Sequence, residues 1–128
     1  TLRTRKTIDD KSTIKSKINI YKIKNSMIKV SIMYPNGPET TFDVDYYKNS
    51  HLPMIAESLG DALISMELNV GMGGRVPGEL APYVAIGHLT FDSVESFQSS
   101  FAPHAAKFAA DIPNYTNVVG ELQISAII

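Results

Sequence analysis

The strand-like stretch Ile28-Lys29-Val30-Ser31-Ile32-Met33-Tyr34-Pro35 is followed, after a turn, by Phe42-Asp43-Val44-Asp45-Tyr46-Tyr47-Lys48-Asn49-Ser50-His51-Leu52-Pro53-Met54, and the change of period between them decides the fold. Ile28, Val30, Ile32 and Tyr34 alternate with Lys29, Ser31 and Met33, the period of a half-buried β-strand. Pro35-Asn36-Gly37-Pro38 is a turn signal. Asp43 then suits a helix N-cap, because its carboxylate can accept an orphan N–H of the first turn. Tyr47, His51, Ile55 and Leu59 recur every four residues and so share one helical face. That face is otherwise apolar, so His51 is expected to point inward, where an ionisable imidazole needs an explanation. Pro53 removes one donor and collides with the preceding turn, which predicts a kink or restart near His51–Pro53. Gly60 is the expected stop of a helix over about Asp43 to Leu59.

Working outward, Met66, Leu68, Val70 and Met72 alternate with Glu67, Asn69 and Gly71, giving a second strand. The Gly-rich segment from Gly71 to Gly78 reads as a mobile loop. A third strand is expected over about Tyr83 to Phe91. Asp92, or else Ser93, is expected to cap a second helix carrying Val94, Phe97, Phe101 and Phe108, bent or interrupted at Pro103. Asp111-Ile112-Pro113-Asn114 reads as a turn, and Val118 to Ile128 as the last strand. The order βαββαβ is the split βαβ unit repeated once, an α+β ferredoxin-like sandwich with both helices on one face of an antiparallel sheet. The third strand is apolar on both faces, with Val84 and Ile86 on one and Ala85, Leu89 and Phe91 on the other. The open side of the sheet is therefore expected to be covered, most economically by a second copy in a two-fold homodimer.

The 128 residues fit one domain, and 44% hydrophobic content supplies a core. The absence of cysteine excludes disulfides, thiolate nucleophiles and cysteine metal sites, and is compatible with the cytoplasmic location expected for the chain. No apolar run approaches the roughly 20 residues of a membrane span. The charge is unevenly placed. Residues 1–26 hold eight lysines and arginines against Asp9 and Asp10, a net of +6, whereas residues 27–128 hold four bases against eleven acids, a net of −7. Residues 1–26 also lack alanine, glycine, proline, valine and phenylalanine. They read as a basic extension, disordered or non-native, ahead of a domain over 27–128 that starts at Met27. The weaker readings are a basic nucleic-acid arm, a transit peptide, or an edge strand on Ile18 and Ile20. Nucleic-acid binding by the acidic domain is not expected.

Several segments in order, Tyr34-Pro35, Phe42-Asp43 through Pro53, Pro82-Tyr83-Val84-Ala85 with His88, Phe101-Ala102-Pro103-His104 and Asp111-Ile112-Pro113-Asn114-Tyr115-Thr116, resemble the EthD family. The resemblance covers nearly all of 28–127 and none of 1–26. The family is named for an ethyl tert-butyl ether degradation gene cluster. The resemblance implies a dimeric α/β barrel of ferredoxin-like subunits, and says less about chemistry. Relatives in the wider superfamily include cofactor-free monooxygenases, lactone isomerases, dehydratases and polyketide cyclases, and others bind haem.

His51 leads the candidate site. One reading is a general acid/base or orienting donor in a cavity between helix and sheet; the other is a core histidine that bonds a backbone carbonyl freed by the proline. Tyr47 is paired with His51 as a catalytic candidate, with Tyr34 and Tyr46 as phenol donors to a carbonyl or quinone, each also readable as packing with a polar handle. His104 lines the same cavity or caps a helix segment. Arg75, in the Gly-rich loop, meets an anionic substrate or is simply solvated. His88 is assigned to the dimer face rather than the pocket, and Asp43 and Asp45 to the helix start. No metal site is expected, since the three histidines are far apart without a two-histidine helix motif. No cofactor is expected: no Gly-rich dinucleotide fingerprint stands in a strand–helix context, and an axial haem histidine is the lesser alternative. Two function classes remain open. One is a cofactor-independent enzyme acting on a small aromatic or carbonyl compound of a degradative pathway. The other is a non-catalytic small-molecule binding or accessory protein.

Overall fold

Four strands, β1 (Ile28–Pro35), β2 (Ser65–Val70), β3 (Tyr83–Phe91) and β4 (Glu121–Ala126), form one antiparallel sheet in the order β2-β3-β1-β4. The computed structural model describes residue 23 and residues 25–128, so the basic extension read over 1–26 lies almost wholly outside the described residues. Val30 at the centre of β1 faces Leu89 on one side and Ile124 on the other. In this register Ile28, Val30 and Tyr34 share a face with Ala85, Leu89 and Phe91, all buried against the helices. The opposite face carries Ser31, Glu67, Ile86 and His88, and His88 Nδ1 lies 2.8 Å from Ser31 Oγ there. His88 is thus on the helix-free face, as its alternation with Val84 and Ile86 predicts. The architecture is the expected α+β ferredoxin-like sandwich.

The first helical run is continuous but not uniform. It comprises α1 (Val44–Tyr46), a π-helical turn (Tyr47–His51) and α2 (Leu52–Leu59). Asp43 caps it as expected, its carboxylate accepting from the Tyr46 N–H at 3.0 Å. The kink or restart expected near His51–Pro53 takes the form of a π turn with a new α-helix starting at Leu52, and the Leu52 N–H donates to the Tyr47 carbonyl five residues back. A wider turn gives the proline ring, at the start of α2, room from the preceding carbonyls. It also explains the strict four-residue spacing. On an α-helix such a series drifts by about 40° per step. With the π turn inserted, Tyr47, His51, Ile55 and Leu59 are all buried. Gly60 ends the run with φ of 56°, the left-handed region that favours glycine.

The second helical run is α3 (Val94–Phe101), a 3₁₀ turn (Ala102–His104) at Pro103, and α4 (Ala105–Asp111). Ser93, not Asp92, is its N-cap, with Ser93 Oγ accepting from the Ser96 N–H at 3.0 Å. Phe91, Phe97, Phe101 and Phe108 pack in series, tilted or edge-on, at centroid distances of 5.1, 5.1 and 5.2 Å, pinning this run to the sheet. A 3₁₀ turn (Ile112–Asn114) follows α4, and Val118–Gly120 approach β4 without joining it. The chain leading into α1 is strapped to the segment after α4. Phe42 bridges Thr116, the Asp43 N–H donates to the Tyr115 carbonyl at 2.7 Å, and Thr116 Oγ1 donates to the Thr41 carbonyl at 2.7 Å. This strap sets Tyr115 and Asp111 against the π turn. No helix among the described residues is long and apolar enough to cross a membrane.

Candidate functional site

His51 is 3% exposed, and both of its ring nitrogens are engaged by side chains. Nδ1 lies 2.8 Å from Asp111 Oδ2, and Nε2 lies 3.3 Å from the Tyr115 hydroxyl. Neither nitrogen takes up a backbone carbonyl freed by Pro53. The second oxygen of Asp111 accepts from the Tyr46 hydroxyl at 2.7 Å and from Asn114 Nδ2 at 2.9 Å. The Tyr115 hydroxyl lies 2.7 Å from that of Tyr34. A line of polar groups therefore runs from Tyr34 through Tyr115 and His51 to Asp111, held at its far end by Tyr46 and Asn114.

The electrostatics fix the protonation along this line. Burial pulls the His51 imidazole below its ordinary value, and the Asp111 hydrogen bond and charge offset only part of that. For Asp111, burial acts upward, but hydrogen bonds from Asn114, His51 and Tyr46 outweigh it and hold the carboxyl below its ordinary value. At neutral pH the carboxylate is ionised and the imidazole neutral. The carboxylate can only accept, so the imidazole proton sits on Nδ1 and Nε2 keeps its lone pair. Burial pushes the Tyr115 phenol far up, with Tyr34 next in effect, so it remains a donor across the physiological range.

His51, Tyr34 and Tyr115 supply the polar side chains of a cavity of about 330 Å³ between the helices and the β1–β4 side of the sheet. The remaining wall is apolar, including Ile55, Phe108, Ile112 and Leu122. Val119, 86% exposed, stands at its rim. An apolar pocket with a few convergent polar groups at one end is the usual form of a small-molecule site. The arrangement offers a lone pair backed by a carboxylate and a phenol donor beside it, the parts needed to move a proton and to hold an oxygen.

The other predicted residues fall in different places. Tyr47 does not line the cavity. It is fully buried, its ring stacked near that of His51 at 5.5 Å, and its hydroxyl is buried without a hydrogen-bond partner, beside Gly87. Burial and the nearby Tyr34 push its phenol far up. Tyr46 stands behind Asp111 rather than in the cavity. His104 stacks on Phe108 at 5.9 Å and does not line the cavity. Arg75 is exposed in the loop between β2 and β3, away from the cavity, so a meeting with an anionic ligand there is not supported. Two residues were missed as site members: Asp111, read as part of a turn, and Tyr115. Asp111 did carry a signal. It ends α4, where the helix dipole disfavours a carboxylate, so a donor or cation was to be sought nearby. Among the described residues no group of three or more His, Cys, Asp or Glu side chains is placed to hold a metal ion.

No family model and no curated protein matches the chain. Solved structures do. An EthD-like protein from Ralstonia eutropha is 36% identical with a TM-score of 0.79, over 81% of this chain and 94% of that one. An ethyl tert-butyl ether degradation (EthD) family protein from Bacillus halodurans aligns at 18% identity and a TM-score of 0.61, over 80% of this chain and 99% of that one. A monooxygenase from Streptomyces coelicolor, solved with nanaomycin D, shares the fold at 10% identity and a TM-score of 0.53, over 82% of this chain and 89% of that one. With the order of strands, the segments quoted from Tyr34 to Thr116 and the 36% identity in agreement, the chain belongs to the EthD family.

Proposed function

We propose that the cavity binds a small aromatic or alicyclic carbonyl compound and that His51 moves a proton on it without a cofactor. The observation that carries this reading is an imidazole whose Nδ1 is pinned at 2.8 Å by a carboxylate while the ring lines an apolar cavity beside a phenol. Nε2 takes a proton from the carbon next to the carbonyl. The C–H electron pair moves into a C=C bond as the carbonyl π pair moves onto oxygen. The resulting enolate accepts a hydrogen bond from the Tyr115 phenol, with Tyr34 behind it. The imidazolium holds the proton on Nε2, keeps Nδ1–H toward Asp111, and returns the proton to the same or another carbon. Such proton transfer contributes on the order of 10²–10⁴ in rate. The name of the family points to breakdown of small organic compounds, and a pocket of this kind suits such a pathway.

A second reading rests on a specific observation. Tyr115 already meets Nε2 at 3.3 Å, so the polar line is closed without a ligand, as in a binding or accessory protein. The two readings part in deuterium oxide. Exchange of the methyl protons of acetophenone, followed by NMR, is accelerated if the site transfers protons and stays at the buffer rate if the chain only binds. We also propose a homodimer through the helix-free face of the sheet, where Val84, Ile86 and His88 follow one another along β3. Light scattering of the full chain at micromolar concentration tests it, and a monodisperse folded monomer contradicts it.

A further inference from the structure

The charge around the cavity narrows what can enter it. None of the four basic residues of 27–128 lines it: Arg75 is exposed in its loop, and Lys107 is bonded to Ser58 at 3.2 Å on the surface. The polar side chains within are two phenols and an imidazole. Directly behind the imidazole stands the Asp111 carboxylate, and Asp111 is also the last residue of α4. Ile112, the residue that follows, lines the cavity, so this carboxylate stands close behind its wall. A carboxylate or phosphate placed here would lose its water, find no cation among the described residues in exchange, and face a negative charge beyond the imidazole.

We infer that the ligand is a neutral carbonyl compound carrying an acidic C–H or O–H beside its carbonyl, such as a 1,3-dicarbonyl or a hydroxy ketone, and that the site excludes its carboxylate and phosphate counterparts. This rests on the reading of the cavity as a ligand site. The acidic hydrogen meets the Nε2 lone pair and displaces the long contact from Tyr115, which frees that phenol to donate to the carbonyl oxygen. Head groups bind at the His51 end, and the apolar body extends toward Leu122 and Val119 at the rim. Exclusion of anions also separates this site from one that works on free acids.

Benzoylacetone and benzoylacetate have the same skeleton, with a methyl group in one where the other has a carboxylate oxygen. Methyl benzoylacetate restores neutrality at the acid end. Binding of each to the full chain at neutral pH is measured by NMR shift titration, with the methyl signals of Ile55 and Leu122 as reporters of the cavity. The expected result is binding of benzoylacetone and the ester at the cavity, with benzoylacetate weaker by about 100-fold or more. Benzoylacetate bound at the cavity as tightly as benzoylacetone overturns the inference and leaves the cavity as a ligand site. Absence of cavity shifts with all three overturns both.

Discussion

Asp111 Oδ2 stands 2.8 Å from His51 Nδ1, joining the end of one helical run to the π turn of the other across 60 residues of chain. The contact decides which imidazole nitrogen is free. Asp111→Asn replaces an obligate acceptor with an amide that can present its NH₂ to the ring and favour the other tautomer. We expect a loss on the order of 10²–10⁴ in proton-transfer rate, with a stability loss of about 1–3 kcal/mol. Nitrogen-15 NMR of the His51 ring reads the tautomer directly. An unchanged tautomer together with an unchanged rate would remove Asp111 from the account.

Tyr47 gives the opposite expectation. Its hydroxyl is buried without a hydrogen-bond partner, and an unmet buried hydroxyl costs about 1–3 kcal/mol. Tyr47→Phe keeps the ring contacts with Tyr34, Phe42 and Tyr115. It should raise the melting temperature or leave it level, and leave acetophenone exchange unchanged. A large loss of exchange with an intact fold would return Tyr47 to the catalytic set. The facing Gly87 adds a check: a Cβ there meets the Tyr47 hydroxyl, so Gly87→Ala should be destabilising alone and milder in the Tyr47→Phe background.

Stability should fall on the acid side in two stages. His51 is held below its ordinary value of 6.5 in the fold, so below that value the unfolded chain binds more protons and stability is lost as pH falls toward the folded value. Asp111, held below its ordinary 3.8, adds a second loss as pH falls through its own folded value. His88 is shifted downward as well, by burial and then by Lys29, so His51→Gln is the control that isolates the first stage. Melting temperature against pH is the measurement, and proton transfer should decline in the same direction as Nε2 becomes protonated. A chain that grows more stable from neutrality to about pH 5 would contradict the buried neutral imidazole.

Residues 1–26 should be dispensable to the domain. The Ile127 N–H donates to the Met27 carbonyl at 2.9 Å, so the sheet's own bonding reaches back as far as Met27. A chain beginning at Met27 is expected to melt within a few degrees of the full one. A large drop would show that the isoleucines upstream belong to the fold.

Local periodicity was enough for much of this architecture. Strand β3 spans Tyr83–Phe91 as read, Asp43 caps its helix, and His51 faces inward because its four-residue series does. Each is a relation between neighbours in sequence. The π turn was less legible, since a proline inside a helix predicts a disturbance without saying which kind, and extra width and a kink both relieve its clash. The pairing of Asp111 and Tyr115 with His51 was out of reach for a different reason. They meet His51 from 60 and 64 residues away, and side-chain pairing across elements leaves no period to read. Tyr46 and Tyr47 show the same limit from the other side. They are adjacent in sequence, and the roughly 100° between neighbours on a helix takes one hydroxyl to Asp111 and buries the other in the core.

The central claim is that the nitrogen of His51 moves the proton. Methyl-proton exchange of acetophenone in deuterium oxide, measured side by side for the unaltered chain, His51→Gln and His51→Ala, tests it with melting curves taken on the same samples. The account predicts accelerated exchange in the unaltered chain, a fall on the order of 10²–10⁴ in both variants, and a folded state retained in at least one. Exchange at the buffer rate in the unaltered chain, or full exchange in a folded His51 variant, would contradict it and leave this histidine as part of the scaffold.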